Sequence, residues 1–415
     1  MYLQQCITCG KQYHHKEFLY TCPDCGDLKG TLDILYDYES LKKTLTKSGF
    51  LKSPINSIFR YLPLLPLAPG SALPGLKVGM TPIFQYPDIA RESAISKLTI
   101  KDESYHPSLS LKDRASAVAL LKAKELKFQI AATASTGNAA ASMACIGAHL
   151  NMETFIFVPK SIPRAKLIQL QIFGATILMV DGNYDDAFDL CREISLKKKW
   201  YNRSTAINPY NLEGKKTAAF EICEHFNFSV PDLIFVPVGD GCIISALWKG
   251  FKDFYQVGLI ERLPRLVACQ AAGSAAIYQA FKNHHNIPQA IKANTIADSI
   301  SVDLPRDGIK AIRSLVESEG DAVLVSDDQI LHAQQRLARE KGIFCEPSAA
   351  AAFAGFLNFV QSSKGRSTDE ALVLLTGSGM KDLASAEKGI EVKKLITFDP
   401  ENDDIEENLK ENYGL

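Results

Sequence analysis

The chain has 415 residues, 46% of them hydrophobic and 22% charged, enough for two or three domains with cores of their own. With 46 basic and 47 acidic residues the net charge is −1, so no field steers it to nucleic acid or to an anionic membrane. No apolar run approaches the ~20 residues that span a bilayer, and no charged-then-apolar leader opens the chain. A cytoplasmic protein acting on a small molecule is the expectation.

The first element is a cysteine pattern. Cys6-Ile-Thr-Cys9-Gly10 and Cys22-Pro-Asp-Cys25-Gly26 make a C-x2-C-x12-C-x2-C spacing with a glycine after each pair. Four thiolates in two close pairs suit a tetrahedral ion, zinc or iron, and the glycines let backbone amides turn toward the sulfurs. With all four ligands from protein, no position is open for chemistry, so the site is structural. The alternative is a set of cysteines that holds no metal. Lys11, Lys16 and Lys29 are balanced by Glu17, Asp24 and Asp27, which argues against a nucleic-acid role. Residues 1–35 are thus assigned to a ribbon. Residues 36–78 are read as a short helix and a proline-rich arm wrapping the body, because the apolar stretch 61–76 carries four prolines and forms no continuous helix.

From 79 to 395, strand-like runs alternate with helical stretches. The runs are 98–101, 129–133, 153–158, 176–180, 232–238, 265–270, 321–325 and 371–375, and the alternation predicts a parallel α/β fold. The tail 396–415 is acidic, lacks apolar periodicity and is expected to be solvated. The remaining cysteines, Cys145, Cys191, Cys223, Cys242, Cys269 and Cys345, are scattered in mostly apolar runs, which fits buried thiols in a reducing compartment. His14-His15 and His284-His285 have no ligand partners at suitable spacing and are read as surface residues.

Five loops in this region carry chemistry. Ser108-Leu-Ser-Leu-Lys112-Asp-Arg opens an Ala-rich helix, a setting that can desolvate Lys112 and leave part of it neutral and nucleophilic. Ser135-Thr136-Gly137-Asn138 ends an apolar run and starts a helix, aiming free N–H groups at an anion. Gly239-Asp240-Gly241-Cys242-Ile243 does the same, its glycines letting a phosphate approach the backbone. Asp240 is expected to point away from that phosphate, and Cys242 to pack rather than react. Cys345-Glu346-Pro347-Ser348 and Thr376-Gly377-Ser378-Gly379-Met380-Lys381-Asp382 complete the set. In an open α/β sheet such loops collect beyond the carboxyl ends of strands, where ligands bind.

The order of these loops resembles the type II fold of pyridoxal phosphate (PLP) enzymes, the tryptophan-synthase β-like family, and more narrowly the threonine synthases. Gly79-Met-Thr-Pro-Ile-Phe84 is similar to the GMTPLF of that group, and Asn208-Pro-Tyr-Asn-Leu-Glu-Gly-Lys-Lys-Thr-Ala-Ala-Phe-Glu221 to its NPxRLEGQKTxAFE. Lys101-Asp-Glu-Ser104, Trp248-Lys-Gly-Phe251, Gln270-Ala-Ala-Gly273 and 376–382 also match, so the similarity covers 79–385.

The resemblance implies a PLP cofactor in a cleft between a larger domain and a smaller one, roughly 115–225, a homodimer, and an amino-acid substrate. It implies that Lys112 holds PLP as a Schiff base and then moves the substrate Cα proton. Gly239, Asp240, Gly241, Cys242 and Ile243 form the phosphate loop, Asn138 meets the phenolic oxygen, and Thr376 faces the pyridine nitrogen. Ser135, Thr136 and Gly137 take the substrate carboxylate, and Lys101 and Asn208 are the matching positions nearest a substrate phosphate. Some members also carry a cysteine ribbon.

Three departures concern the substrate. The phosphate loop of the group usually reads GNAGN. Thr295-Ile-Ala-Asp298-Ser299 looks more like the serine and threonine ammonia-lyases of the same fold. Thr176 stands where many short relatives carry an arginine. A threonine synthase is therefore the first expectation. The alternatives are a serine/threonine ammonia-lyase, a β-replacement synthase such as one using O-phosphoserine, and, from another class, a ribbon-type binding protein with an inert PLP-like domain.

Overall fold

Three sheets organise the chain in the computed structural model, which describes residues 2–362, 365–390, 399 and 404–414. The N-terminal sheet is antiparallel, with Tyr2–Cys6 between Gln12–His14 and Leu32–Tyr36. The second holds six strands in the order Asp321–Val325, Arg265–Ala271, Leu233–Pro237, Glu370–Leu375, Lys97–Asp102, Ile83–Gln85. The third holds four, Thr176–Val180, Glu153–Pro159, Ile130–Ala134 and Tyr201–Asn202, all parallel.

All eight strand runs expected from the sequence are present. Two strands were not anticipated. Ile83–Gln85 pairs antiparallel with Lys97–Asp102 and makes the larger sheet mixed. Tyr201–Asn202 is only two residues long. Neither has the length or the apolar run that marks a strand in sequence. The four other larger-sheet strands pair in parallel with Lys97–Asp102 or with one another; all but the edge strand Asp321–Val325, which is half-buried, are almost wholly buried, since helices cover both faces.

The four-stranded sheet and its helices, Asn138–His149 and Tyr184–Lys198, form the smaller body, within the span 115–225. The helix Lys112–Glu125 packs on Asn138–His149 and on Tyr210–Lys215, tying this body to the larger one. Within residues 36–78, Phe50, Ile58, Phe59, Tyr61, Leu64 and Leu65 are buried, and Tyr61 packs on Phe220 and Phe254. In the acidic tail, expected to be solvated and without an element, Ile405–Tyr413 forms a helix whose first amides donate to the Asp404 carboxylate. The expected boundary at residue 395 lies outside the described residues.

The N-terminal sheet docks on both bodies. Arg313 donates to the Ile7 carbonyl (2.7 Å) and Lys310 to that of Leu32 (2.8 Å), while the Tyr20 hydroxyl accepts from the Asn202 amide (2.6 Å). No helix among the described residues is long and apolar enough to cross a membrane.

Candidate active site

A cleft of about 770 Å³ opens between the two bodies, at the carboxyl ends of their strands. Ser135 follows the strand Ile130–Ala134, Gly239 follows Leu233–Pro237 by one residue, and Thr376 follows Glu370–Leu375. Lys112, Ser135, Thr136, Gly137, Asn138, Gly239, Asp240, Gly241, Cys242 and Ile243 all line the cleft. Thr376 lines a recess that adjoins it, together with Lys112, Asn138, Glu346 and Ser348. Four of the five loops are brought to one place because each follows the carboxyl end of a strand, while Cys345–Ser348 reaches the cleft from the end of the helix Asp327–Lys341.

Lys112 is partly exposed at the cleft wall, yet the protein around it desolvates its amine. That burial, with the nearby positive charge of Lys215, lowers its pKa from 10.5 to about 8. It makes no ion pair among the described residues, so a useful fraction is neutral near neutral pH. Its position is set by the loop before it: the Leu111 amide donates to the Thr376 carbonyl (2.9 Å), and Ser108 donates to Asp113.

The glycine loop is shaped by close approach. Gly241 has φ +92°, and a Cβ there would meet Ala311 Cβ at 2.7 Å. A Cβ on Gly239 would lie 2.8 Å from Ile300 Cα. Only glycine lets the chain turn here and present the N-terminus of the helix Cys242–Gln256 to the cleft, a fitting cradle for a phosphate. The Asp240 carboxylate accepts from the Arg306 amide (3.1 Å). Cys242 is buried, and that burial pushes its thiol up to about 12, so it is no nucleophile at neutral pH.

Two expected substrate contacts lie elsewhere. Lys101 is fully buried on the strand Lys97–Asp102, its Nζ 2.7 Å from Glu221 Oε2 and 2.7 Å from Thr81 Oγ1. That cluster also holds Arg114 and Glu103, so no substrate phosphate reaches Lys101. The Asn208 side chain donates to the Asn202 carbonyl (2.9 Å) and accepts from the Tyr210 amide (3.0 Å), the contacts of a turn residue. Both are corrections: strand position and turn chemistry, not ligand contact, explain these residues.

Other side chains at the cleft were given no role from sequence. Glu346 accepts from Asn138 Nδ2 at 2.9 and 3.1 Å, and burial raises its carboxyl despite that bond. Lys215 and Arg306 line the main cleft. Lys166 and Lys381 line a smaller recess beside Thr136. Lys166 reaches Asp298 across the opening (2.6 Å), and Arg306 reaches Asp185 (2.8 Å). Nothing local in the sequence marks them: Lys215, for one, stands among other charged and polar residues, Asn211, Glu213 and Lys216. Thr176 is exposed, at the start of its strand and away from the residues lining the cleft.

At the N-terminus the ligand atoms of Cys6, Cys9, Cys22 and Cys25 all lie within 4.8 Å of one another. Four sulfurs at that spacing fit a thiophilic tetrahedral ion.

Two α/β bodies meeting at a cleft, with a desolvated lysine on its wall and a glycine loop at a helix N-terminus, define a phosphate-bearing-cofactor enzyme. The chain belongs to the pyridoxal-phosphate dependent enzyme family, whose profile matches residues 75–377. It is 38% identical over 382 residues to a threonine synthase of Methanocaldococcus jannaschii, covering 92% of this chain and 93% of that one. It is 37% identical over 384 residues to a threonine synthase of Methanosarcina acetivorans, covering 92% and 93%. A fungal L-serine ammonia-lyase from Rhizomucor miehei shares the fold at a TM-score of 0.66 and 20% identity, over 75% of this chain and 97% of that one. The processed threonine deaminase isoform 2 of Solanum lycopersicum does so at 0.64 and 20%, over 87% and 95%. At such identities the structures establish the type II PLP fold alone.

Proposed function

We propose that this chain converts O-phosphohomoserine and water to threonine and phosphate. The similarity to threonine synthases along nearly the whole chain carries this reading, and the desolvated Lys112 on the cleft wall supports it. PLP, when bound, supplies a sink for the electrons left at the substrate Cα. Lys112 holds the cofactor, and its Nζ moves the protons at Cα and Cβ. The Gly239–Ile243 loop grips the cofactor phosphate, Asn138 meets its phenolic oxygen, and the Thr376 hydroxyl faces its pyridine nitrogen. A hydroxyl rather than a carboxylate leaves that nitrogen largely unprotonated, which favours expulsion of a leaving group over transamination. Ser135, Thr136 and Gly137 bind the substrate carboxylate and orient its Cα–H bond toward Lys112.

The four cysteines hold a structural zinc in this reading, as their mutual spacing supports. All ten cysteines are free, which supports a reducing, cytoplasmic setting. The apolar side chains of Tyr105, Leu109 and Met380, exposed by 65%, 37% and 61%, support a homodimer.

A second reading, a serine/threonine ammonia-lyase or β-replacement enzyme, is favoured by Asp298 and Ser299 of the Thr-Ile-Ala-Asp-Ser segment, which line the cleft. The deciding experiment measures phosphate and amino-acid products from O-phosphohomoserine, with O-phosphoserine, serine and threonine in parallel. Phosphate and threonine appearing together are expected. No turnover of O-phosphohomoserine, with phosphate from O-phosphoserine or a 2-oxo acid from serine, moves the chain to the second reading.

A further inference from the structure

We propose that Lys215 is the cationic partner of a phosphate monoester held at the Gly239–Cys242 loop, and that this phosphate is the cofactor's. The inference rests on the chain's membership of the PLP family and goes beyond the roles assigned above. Lys215 ends the short helix Tyr210–Lys215, is 3% exposed and lines the cleft with Lys112 and Gly241.

The other buried lysines set it apart. Lys101 has Glu221 at 2.7 Å, Lys122 has Glu125 at 2.5 Å, Lys216 has Asp253 at 2.6 Å, Lys249 has Asp253 at 2.9 Å and Lys310 has Asp33 at 2.7 Å. Lys215 makes no hydrogen bond and no ion pair among the described residues. A buried ammonium without a partner is costly, so a fold that keeps one at a cleft keeps it for an anion that arrives from solution.

Its surroundings fix which end of the cleft that anion occupies. The charge of Lys215 acts on Cys242, the first residue of the helix Cys242–Gln256, and on Lys112. The free amides at the start of that helix and the Lys215 side chain line the same cleft. Arg203, fully buried, leaves Nη2 unpartnered and adds to the positive field acting on Lys112. Asp307 is a buried acid that feels the charge of Lys310 and of Lys215. Both of its carboxylate oxygens are themselves without a hydrogen-bond partner, and burial raises its pKa to about 6. Asp307 and Lys215 form no ion pair.

The test titrates the apo-protein with PLP and, separately, with pyridoxal, which carries the same aldehyde and ring without the phosphate. Binding is read from the visible absorbance of the lysine-bound aldehyde. Lys215→Gln is expected to raise the dissociation constant for PLP roughly 10- to 100-fold, the range for losing one charge-assisted hydrogen bond, and to leave pyridoxal binding unchanged. Lys215→Arg is expected to keep most of the PLP affinity. Lys215→Met, which needs no polar partner in the fold, stands in if the glutamine variant does not fold. Equal PLP affinity in the neutral variants and the wild type overturns the inference. So does an equal loss for PLP and pyridoxal, which marks general damage. Unchanged PLP affinity with a raised KM for O-phosphohomoserine overturns the assignment to the cofactor and gives Lys215 to the substrate's phosphate. A wild-type protein that takes up no PLP sinks the family-based function itself, a result distinct from all of these.

Discussion

Asn138 Nδ2 donates to both carboxylate oxygens of Glu346, at 2.9 and 3.1 Å, and so joins the four-stranded body to the six-stranded one across the cleft. Each residue lies at the start of a helix that follows a cleft loop, Asn138–His149 and Pro347–Gln361. The bond places a buried carboxyl beside the amide expected to meet the cofactor, so the two bodies share one polar contact at the reacting centre.

Replacing Asn138 by Ala removes the amide donor that favours the ionised form of Glu346, whose carboxyl burial already raises. The acidic limb of the pH–rate profile is expected to move to higher pH. Turnover is expected to fall roughly 10- to 100-fold, the scale of one lost hydrogen bond to a charged group. An unmoved acidic limb would separate Glu346 from the chemistry.

Lys112 carries a lowered pKa, about 8 against an ordinary 10.5. Below pH 8 the folded apo-protein holds a charged, desolvated amine, and that penalty is relieved as pH rises from 8 toward 10.5. There the unfolded chain binds the proton that the folded one has lost, so stability increases with pH. Lys112→Met is therefore expected to stabilise the apo-protein at pH 7, by at most about 3 kcal/mol given the partial exposure of the amine. The gain should vanish by pH 10.5 in denaturant melts. The same variant with PLP should show no visible band that borohydride bleaches.

Glu221 lies in the buried cluster with Arg114 and Lys101. Burial alone would raise its carboxyl, but the guanidinium at 2.5 Å and the ammonium at 2.7 Å outweigh it and hold the pKa at about 2, below the ordinary 4.5. Its contribution is fully present above pH 4.5 and is lost as pH falls toward 2. Glu221→Gln leaves two buried cations short of a partner and is expected to cost about 3–5 kcal/mol. Acid-unfolding curves of the two proteins should converge at the low end of that window.

The cysteine cluster predicts one metal ion per chain by elemental analysis. Cys9→Ser or a strong chelator should release it and lower the melting temperature. The effect should reach the cleft domains, because the N-terminal sheet is bonded to both bodies through Ile7, Leu32 and Tyr20. A protein that folds and melts identically with and without metal would leave the cluster without a structural role.

The strands were legible because each is a β-branched or apolar run bounded by polar turns. The edge strand Ile83–Gln85 was not, being three half-exposed residues paired only through their backbone. The cleft residues were legible where glycine, serine or asparagine stands at a strand-to-helix turn. There local geometry dictates the residue type, as positive φ does at Gly241.

Charge was the illegible part. Lys101 and Lys215 both lie in stretches that match the family, and the sequence pointed to Lys101 as the phosphate contact. The structure seals Lys101 against Glu221, 120 residues away, and leaves Lys215 unpaired at the cleft. By itself the sequence determined the fold and the cofactor family and singled out the lysine found at the cleft, because those are written in short segments whose backbone geometry demands particular residues. Only the tertiary structure decided which buried cations are neutralised from within and which await a ligand. Pairing between distant charges depends on which chain segments the fold brings within a few ångströms, and no local pattern records that.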